Sequence, residues 1–214
     1  MALKEYHKKR IFNQTPEPIG VRSSAITLHF VVQKHDASRL HYDFRLEMNG
    51  LLKSWAIPKG PSLNPDDRRL AMMVEDHPYD YKNFEGIIPE GNYGAGTVII
   101  WDEGSYETLE PFSSKKEMEK SLLGQLKAGS LKFRLNGKKL KGEFALVHIK
   151  NNGKDDNAWL LIKHRDAFAS SADITKKSKS VISGKTIFQM GKSKNAAVFT
   201  SKPKKKRSRQ VTKK

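Results

Sequence analysis

Cysteine is absent from the 214 residues. That excludes disulfides, thiolate nucleophiles and cysteine-held zinc or iron–sulfur centres, so any metal must be held by His, Asp, Glu or backbone oxygen. No apolar run approaches the ~18 residues of a membrane-spanning helix. The start, MALKEYHKKR, lacks the apolar stretch of a secretory signal. The expectation is a cytoplasmic protein with no membrane partner. Acidic residues are scarce at one end only. The net charge is +17, yet residues 1–166 carry 26 Lys/Arg against 22 Asp/Glu, while 167–214 carry 14 against 1. A polyanion is the natural partner for such a segment; the plainer reading is a solubilising, unstructured extension. No Gly-x-Ser-x-Gly elbow is present. The Gly-rich stretch Glu90 to Gly96 is followed by no Gly-Lys-Ser/Thr and runs into a strand pattern, so it reads as a tight loop rather than a nucleotide motif.

Three Trp, six Tyr and ten Phe can build a core. Residues 1–24 read as an irregular N-terminal arm, because Thr15-Pro16-Glu17-Pro18 suits neither helix nor sheet centre. From Ile26 to Val32 the β-branched content predicts a strand. Leu40 to Met48 alternates cleanly, Asn49-Gly50 signals a type I′ turn, and Leu51 to Ile57 returns. Leu70 to Glu75 reads as a strand ended by His77-Pro78, and Thr97 to Trp101 as another. Residues 115–127 form the one convincing helix, capped by Ser113 or Ser114. Leu131 to Leu135, a turn at Asn136-Gly137, and Phe144 to Ile149 predict a second hairpin, and Trp159 to Lys163 closes the ordered part. The spacing predicts a mostly β fold, a compact antiparallel barrel over 25–166 with one or two short helices. Residues 167–214 read as a basic Lys/Ser-rich disordered tail, apart from a short segment near Val181 to Phe188.

The second strand places Leu40, Tyr42, Phe44 and Leu46 on one face and His41, Asp43, Arg45 and Glu47 on the other. A solvated face more often carries Lys, Thr and Ser. With His35 six residues earlier, His35, His41 and Asp43 make a two-imidazole, one-carboxylate set that suits Mn²⁺, Fe²⁺ or Zn²⁺; an incidental polar face is the alternative. In Arg69 to Glu75, alternation places 69, 71, 73 and 75 together, with His77 and Tyr81 beyond. Arg, His and Tyr together suit a phosphate, though taken alone an ion pair of Arg69 with Glu75 or a neighbour, plus a loop His, is the better account of the pattern.

The strings FVVQKHDASRLHYDFRLEMNG, LKSWAIPKGPS and VEDHPYDYKNFEGIIPEGNYGAGTVIIWDEGSYE resemble the 3′-phosphoesterase module of bacterial DNA ligase D, which also occurs as a stand-alone protein. The likeness runs from near Tyr6, through KRIFNQTPEP, to about Asp166. It implies a β-barrel with a groove on one side and a Mn²⁺-dependent enzyme, with Co²⁺ or Zn²⁺ as substitutes. That enzyme removes a 3′-terminal ribonucleoside and then the 3′-phosphate left behind. The rival is a non-catalytic nucleic-acid-binding barrel. By the resemblance His35, His41 and Asp43 are metal ligands. Arg45 and His77 contact the scissile phosphate, His77 by stabilising charge or protonating the leaving oxygen, with Tyr81 beside it. Gln33, Arg69, Glu75, Arg10 and Glu17 match further active-site positions. The implied partners are primer-template 3′ ends, with an end-joining ligase, polymerase or Ku in trans, for a monomeric, nucleoid-associated protein. The sequence departs from the family at Ile11, where an Asp is usual, and at His148, where an Arg is common. Residues 203–209, PKKKRSR, could also be read as a nuclear address.

Overall fold

The computed structural model describes residues 3–18, 27–150, 157–193 and 197–198. Among the described residues ten strands form one sheet: β1 (Leu28–Asp36), β2 (Leu40–Met48), β3 (Leu51–Ile57), β4 (Arg68–Pro78), β5 (Gly86–Ile88), β6 (Gly96–Thr108), β7 (Ser130–Gly137), β8 (Lys141–His148), β9 (Ala158–Lys163) and β10 (Ala197–Val198). Eight of them close an antiparallel barrel in the order β1-β2-β3-β4-β9-β8-β7-β6, with β6 returning to β1. The described helices are α1 (Lys4–Lys8), α2 (Lys115–Ala128) and α3 (Ile187–Gly191), with 3₁₀ turns at Tyr79–Asn83 and Ile174–Lys176. No helix among the described residues is long and apolar enough to cross a membrane.

The β2–β3 hairpin matches its prediction to the residue. Asn49 and Gly50 both take positive φ, 53° and 73°, as a type I′ turn requires. That turn pairs Arg45 with Ser54 and Phe44 with Trp55. Inside the barrel Phe30, Phe44, Trp55, Trp101, Phe133, Phe144 and Trp159 form the core. Ser114 caps α2, its hydroxyl accepting from the Glu117 amide, and the helix covers one flank with Leu122.

The N-terminal arm read as irregular opens with the helix α1, β6 runs on past Trp101 to Thr108, and four further expectations change. The first strand begins at Leu28 and extends to Asp36, because both its edges are paired, to β2 and to β6. β4 runs through His77 to Pro78, where a register shift opposite Leu52 to Ser54 lets the strand continue rather than break. The second hairpin turns at Lys138-Lys139, not at Asn136-Gly137. Asn136 pairs with Lys141, and the Asp102 carboxylate accepts from the amides of Lys138, Lys139 and Leu140. A buried acceptor aimed at three loop amides outweighs the local turn preference.

The fourth change concerns the chain after 166. Residues 167–193 pack on the barrel. Ile174 enters the core, Met190 is buried, and Trp101 donates its indole N–H to the Lys177 carbonyl at 2.7 Å. This strap also fills a break in the sheet. β6 pairs with β5 at one end and with β7 at the other. Between them the Ile100 amide donates to Glu85 (2.9 Å), while its carbonyl accepts from the Val181 amide (2.9 Å). Residues 194–196 and 199–214 of the expected tail, and the expected start at Ile26, lie outside the described residues.

Candidate active site

The β1–β2 pairing sets Gln33 opposite Asp43 and His35 opposite His41. Residues opposite one another share a face, so Gln33, His35, His41, Asp43 and Arg45 all stand on the outer wall of the barrel. The donor atoms of His35, His41 and Asp43 lie within 4.8 Å of one another. Asp43 Oδ2 is 3.7 Å from His35 Nδ1, and Asp43 Oδ1 is 3.6 Å from His41 Nε2. His41 Nδ1 lies 2.8 Å from the Arg39 carbonyl. A carbonyl only accepts, so Nδ1 carries a proton, and Nε2, on the Asp43 side, is the nitrogen placed to bind a metal. His35 Nε2 is buried without a protein partner. Two imidazole nitrogens and one carboxylate fit a borderline divalent metal.

Arg45 locks this set to its neighbours. Nε donates to Gln33 Oε1 (2.8 Å), Nη1 to Ser54 Oγ (2.9 Å) and Nη2 to Asp43 Oδ2 (3.0 Å). Gln33 is anchored in turn by donating to the carbonyls of Tyr81 and Phe84. Three of the five guanidinium N–H donors are thus used and two remain. Burial alone would raise the Asp43 carboxyl, but Arg45, His35 and His41 together hold it well below the ordinary carboxylate range.

The N-terminal segment completes the site. Tyr6 of α1 is fully buried and donates to the Pro18 carbonyl at 2.6 Å. Its ring packs on a second apolar cluster outside the barrel, with Leu52, Tyr81, Phe84, Ile88 and Val98. Arg10 lies 4.0 Å over that ring and donates to Glu17 (2.7 Å), Glu75 (3.1 Å) and His77 Nε2 (3.1 Å). Arginine has no lone pair to offer, so His77 Nε2 accepts and Nδ1 donates to the Glu75 carbonyl (2.9 Å). Burial, then Arg45 and Arg10, push the His77 imidazole well below its usual range. Tyr81 donates its hydroxyl to Glu17 (3.1 Å), and its ring lies under the Arg45 guanidinium. Burial and Glu17 raise the Tyr81 phenol well above 10.

The structure therefore brings together Arg10, Glu17, Gln33, His35, His41, Asp43, Arg45, Glu75, His77 and Tyr81. Arg69 stands apart. It shares the inner face with Ala71 and Met73 and bonds Asp67 at 2.8 Å. The register shift opposite Leu52 to Ser54 reverses the alternation, so Glu75 and His77 face outward while Arg69 does not. Six residues also separate Arg69 from Glu75, roughly 20 Å along a strand. Ile11, one of the two departures from the family, is exposed. The sequence reading passed over Ser54, Tyr6 and Lys9. Ser54 was recoverable from the hairpin register, and Lys9, bonded to Glu75 at 3.0 Å, from its place beside Arg10. A cavity of about 750 Å³ beside Tyr106, Met118 and Phe168 contains none of these residues.

The family model of the DNA Ligase D 3′-phosphoesterase domain matches residues 33–148. The multifunctional non-homologous end joining protein LigD of Pseudomonas aeruginosa is 48% identical over 192 residues, which is 86% of this chain and 22% of that protein. The protein of that name in Mycolicibacterium smegmatis is 40% identical over 166 residues, 77% of this chain and 21% of its own length. A Mycobacterium tuberculosis DNA repair protein LigD is 43% identical over 162 residues, 74% of this chain and 19% of its length. The chain thus spans about a fifth of these relatives (22%, 21% and 19%).

Proposed function

The chain belongs to the DNA Ligase D 3′-phosphoesterase domain family, and from that premise we propose that it heals the 3′ ends of DNA strands in a metal-dependent reaction. It removes a 3′-terminal ribonucleoside as a phosphodiesterase and the remaining 3′-phosphate as a phosphomonoesterase, leaving a 3′-OH. The observation that carries this reading is the His35–His41–Asp43 set bonded to Arg45 on one wall of the barrel.

His35, His41 and Asp43 would hold the ion, Mn²⁺ by our reading, with Co²⁺ or Zn²⁺ suiting the same donors. When bound, the ion supplies Lewis-acid polarisation of a phosphoryl oxygen and a lowered pKa for a water. Arg45 offers its two unused N–H donors to the phosphoryl oxygens, and its fixed bonds spare it reorganisation as charge develops. Arg10 supplies a second positive charge through the face it shares with His77. His77, neutral and accepting from Arg10, suits the positioning of that charge better than the release of a proton. Tyr81 and Glu17 hold Arg45 and Arg10 in place. The 3′-OH product suits an end-joining ligase or polymerase, or a Ku-bound end, acting in trans on a monomer near the nucleoid in the cytoplasm.

The test is a primer-template with one 3′-terminal ribonucleotide, incubated with and without Mn²⁺. The expected result is loss of the ribonucleoside and then of the phosphate, abolished by EDTA. Binding with no processing under any divalent metal would favour the non-catalytic barrel.

A further inference from the structure

The Gly-rich turn between β5 and β6 is fastened to the metal-ligating strand. Gly91, Gly94 and Gly96 take positive φ (83°, 74° and 144°). A Cβ on Gly96 would fall 2.1 Å from the Asp36 carbonyl oxygen, so only glycine lets the turn lie this close to the end of β1. A Cβ on Gly94 would stand 3.8 Å from His35 Cε1. The amides of Asn92 and Ala95 close the turn on Pro89 and Asn92.

Between Gly91 and Gly94 the turn presents Tyr93. Tyr6, Tyr42, Tyr81 and Tyr106 are buried, whereas Tyr93 is 50% exposed. Its hydroxyl lies 3.5 Å from Lys9 Nζ, and Lys9 and Arg10 stand 4.9 and 5.5 Å from its ring centre. Both cations also bond Glu75. The next residue after Tyr93 borders His35, and the ring itself borders the Arg10–His77 side. A half-exposed tyrosine thus stands on the rim joining the two halves of the site.

We propose that Tyr93 is the stacking platform for the terminal base of the strand whose phosphate enters the site. This rests on the phosphoesterase reading. The chemistry selects the occupant. Lys9 and Arg10 flank the ring with positive charge, which matches a polyanion. A polyanion built of flat π-faces gains from the ring as well as from the cations. Stacking accepts every base, as an enzyme that trims ends of any sequence needs.

The probe is a primer-template whose last nucleotide is the deoxyribonucleotide of 2-aminopurine with a 3′-OH, which leaves nothing to remove. Wild-type protein is expected to quench its fluorescence. Tyr93→Phe and Tyr93→Trp should quench alike. Tyr93→Leu, which keeps an apolar cover, and Tyr93→Ala should lose the quench and bind the end about tenfold more weakly. With a 3′-ribonucleotide substrate, the Leu and Ala defects should fall on KM more than on kcat. Full quenching by Tyr93→Leu would overturn the proposal. So would a loss in Tyr93→Phe equal to that in Tyr93→Ala, which would assign the role to the hydroxyl. Tyr93-dependent quenching in a protein that processes no end would leave the stacking standing and remove the phosphoesterase reading. Processing without such quenching would do the opposite.

Discussion

The two faces of β2 are buried to a similar depth and solve opposite problems. From Tyr42 to Met48 every residue is buried. Tyr42, Phe44, Leu46 and Met48 face inward and are satisfied by packing, as in the ring series Phe30–Phe44–Phe133–Phe144. Asp43, Arg45 and Glu47 face outward and are satisfied only by directed bonds to β1, β3, α2 and the 3₁₀ turn after β4. Apolar packing tolerates exchange if volume is kept. A buried charge network fails when one member is removed, because its partner stays buried and unpaired. The inner face therefore carries stability, and the outer face carries the candidate site at a standing risk to stability.

A crossed pair of substitutions tests this division most strongly. His41→Ala should weaken Mn²⁺ binding beyond the ~10–100-fold that disturbing a ligand's partner costs, read by titration calorimetry. The thermal midpoint of the metal-free protein should hardly move, since His41 is only partly buried. Phe44→Ala should do the reverse, losing about 3–5 kcal/mol in urea unfolding while the folded fraction keeps its metal affinity. Matching losses in both variants would erase the distinction between the faces.

Arg10→Ala probes the risk directly. It strands Glu17, whose side chain is fully buried, and should cost about 3–5 kcal/mol. Combining Arg10→Met with Glu17→Gln should recover most of that stability without restoring activity. A double variant no more stable than the single one would show that the pair is not a coupled charge network.

Acid should separate the faces more gently. The folded-state pKa of His77 lies well below 6.5, so as pH falls through 6.5 the unfolded chain gains a proton that the native chain does not. Stability is full above that value and falls below it by up to about 1.4 kcal/mol per pH unit. Asp43 is depressed instead, so its contribution is present above its unfolded value of about 4 and is lost only below it. Urea unfolding at pH 7.5, 6.5 and 5.5 should therefore slope in the wild type and flatten in His77→Asn. An equal slope in the two would place the titration elsewhere.

The smallest effect concerns residues 201–214, which hold six Lys and two Arg and no acid. Removing them should leave turnover at saturating DNA intact and reduce the slope of log affinity on log salt, by about 0.9 per lost duplex phosphate contact. The cut belongs after residue 200, because Ile174 and Met190 anchor the strap before it. An unchanged slope would make the segment a solubility extension or a protein-docking one.

What could be read in advance follows how local each signal was. The Asn49-Gly50 turn is a two-residue code, and from it the hairpin, the inner and outer sets of β2 and the opposition of Arg45 to Ser54 all follow. The metal set was legible because His41 and Asp43 are two apart on one strand and His35 lies just across its hairpin. The β4 register shift carries no local mark, so alternation put Arg69 and Glu75 on one face when they lie on opposite ones. The strap was missed because few anchors, Ile174 and Met190 among them, are diluted in Lys and Ser. The docking of Tyr6 and Arg10 was invisible to periodicity because it depends on a distant surface.

The strap's hold on β6 has a further consequence, for solution behaviour. With Val181 withdrawn, the Ile100 carbonyl would face solvent beside the uncovered indole of Trp101. A partly bare strand between two paired ends invites an extended segment from a second molecule. Shortened versions ending before about residue 180 should therefore scatter light and elute early from a sizing column even where their barrels are fully formed. The yield of soluble protein across a series of C-terminal endpoints would then step at Val181, giving the strap the duty of a cap against self-association.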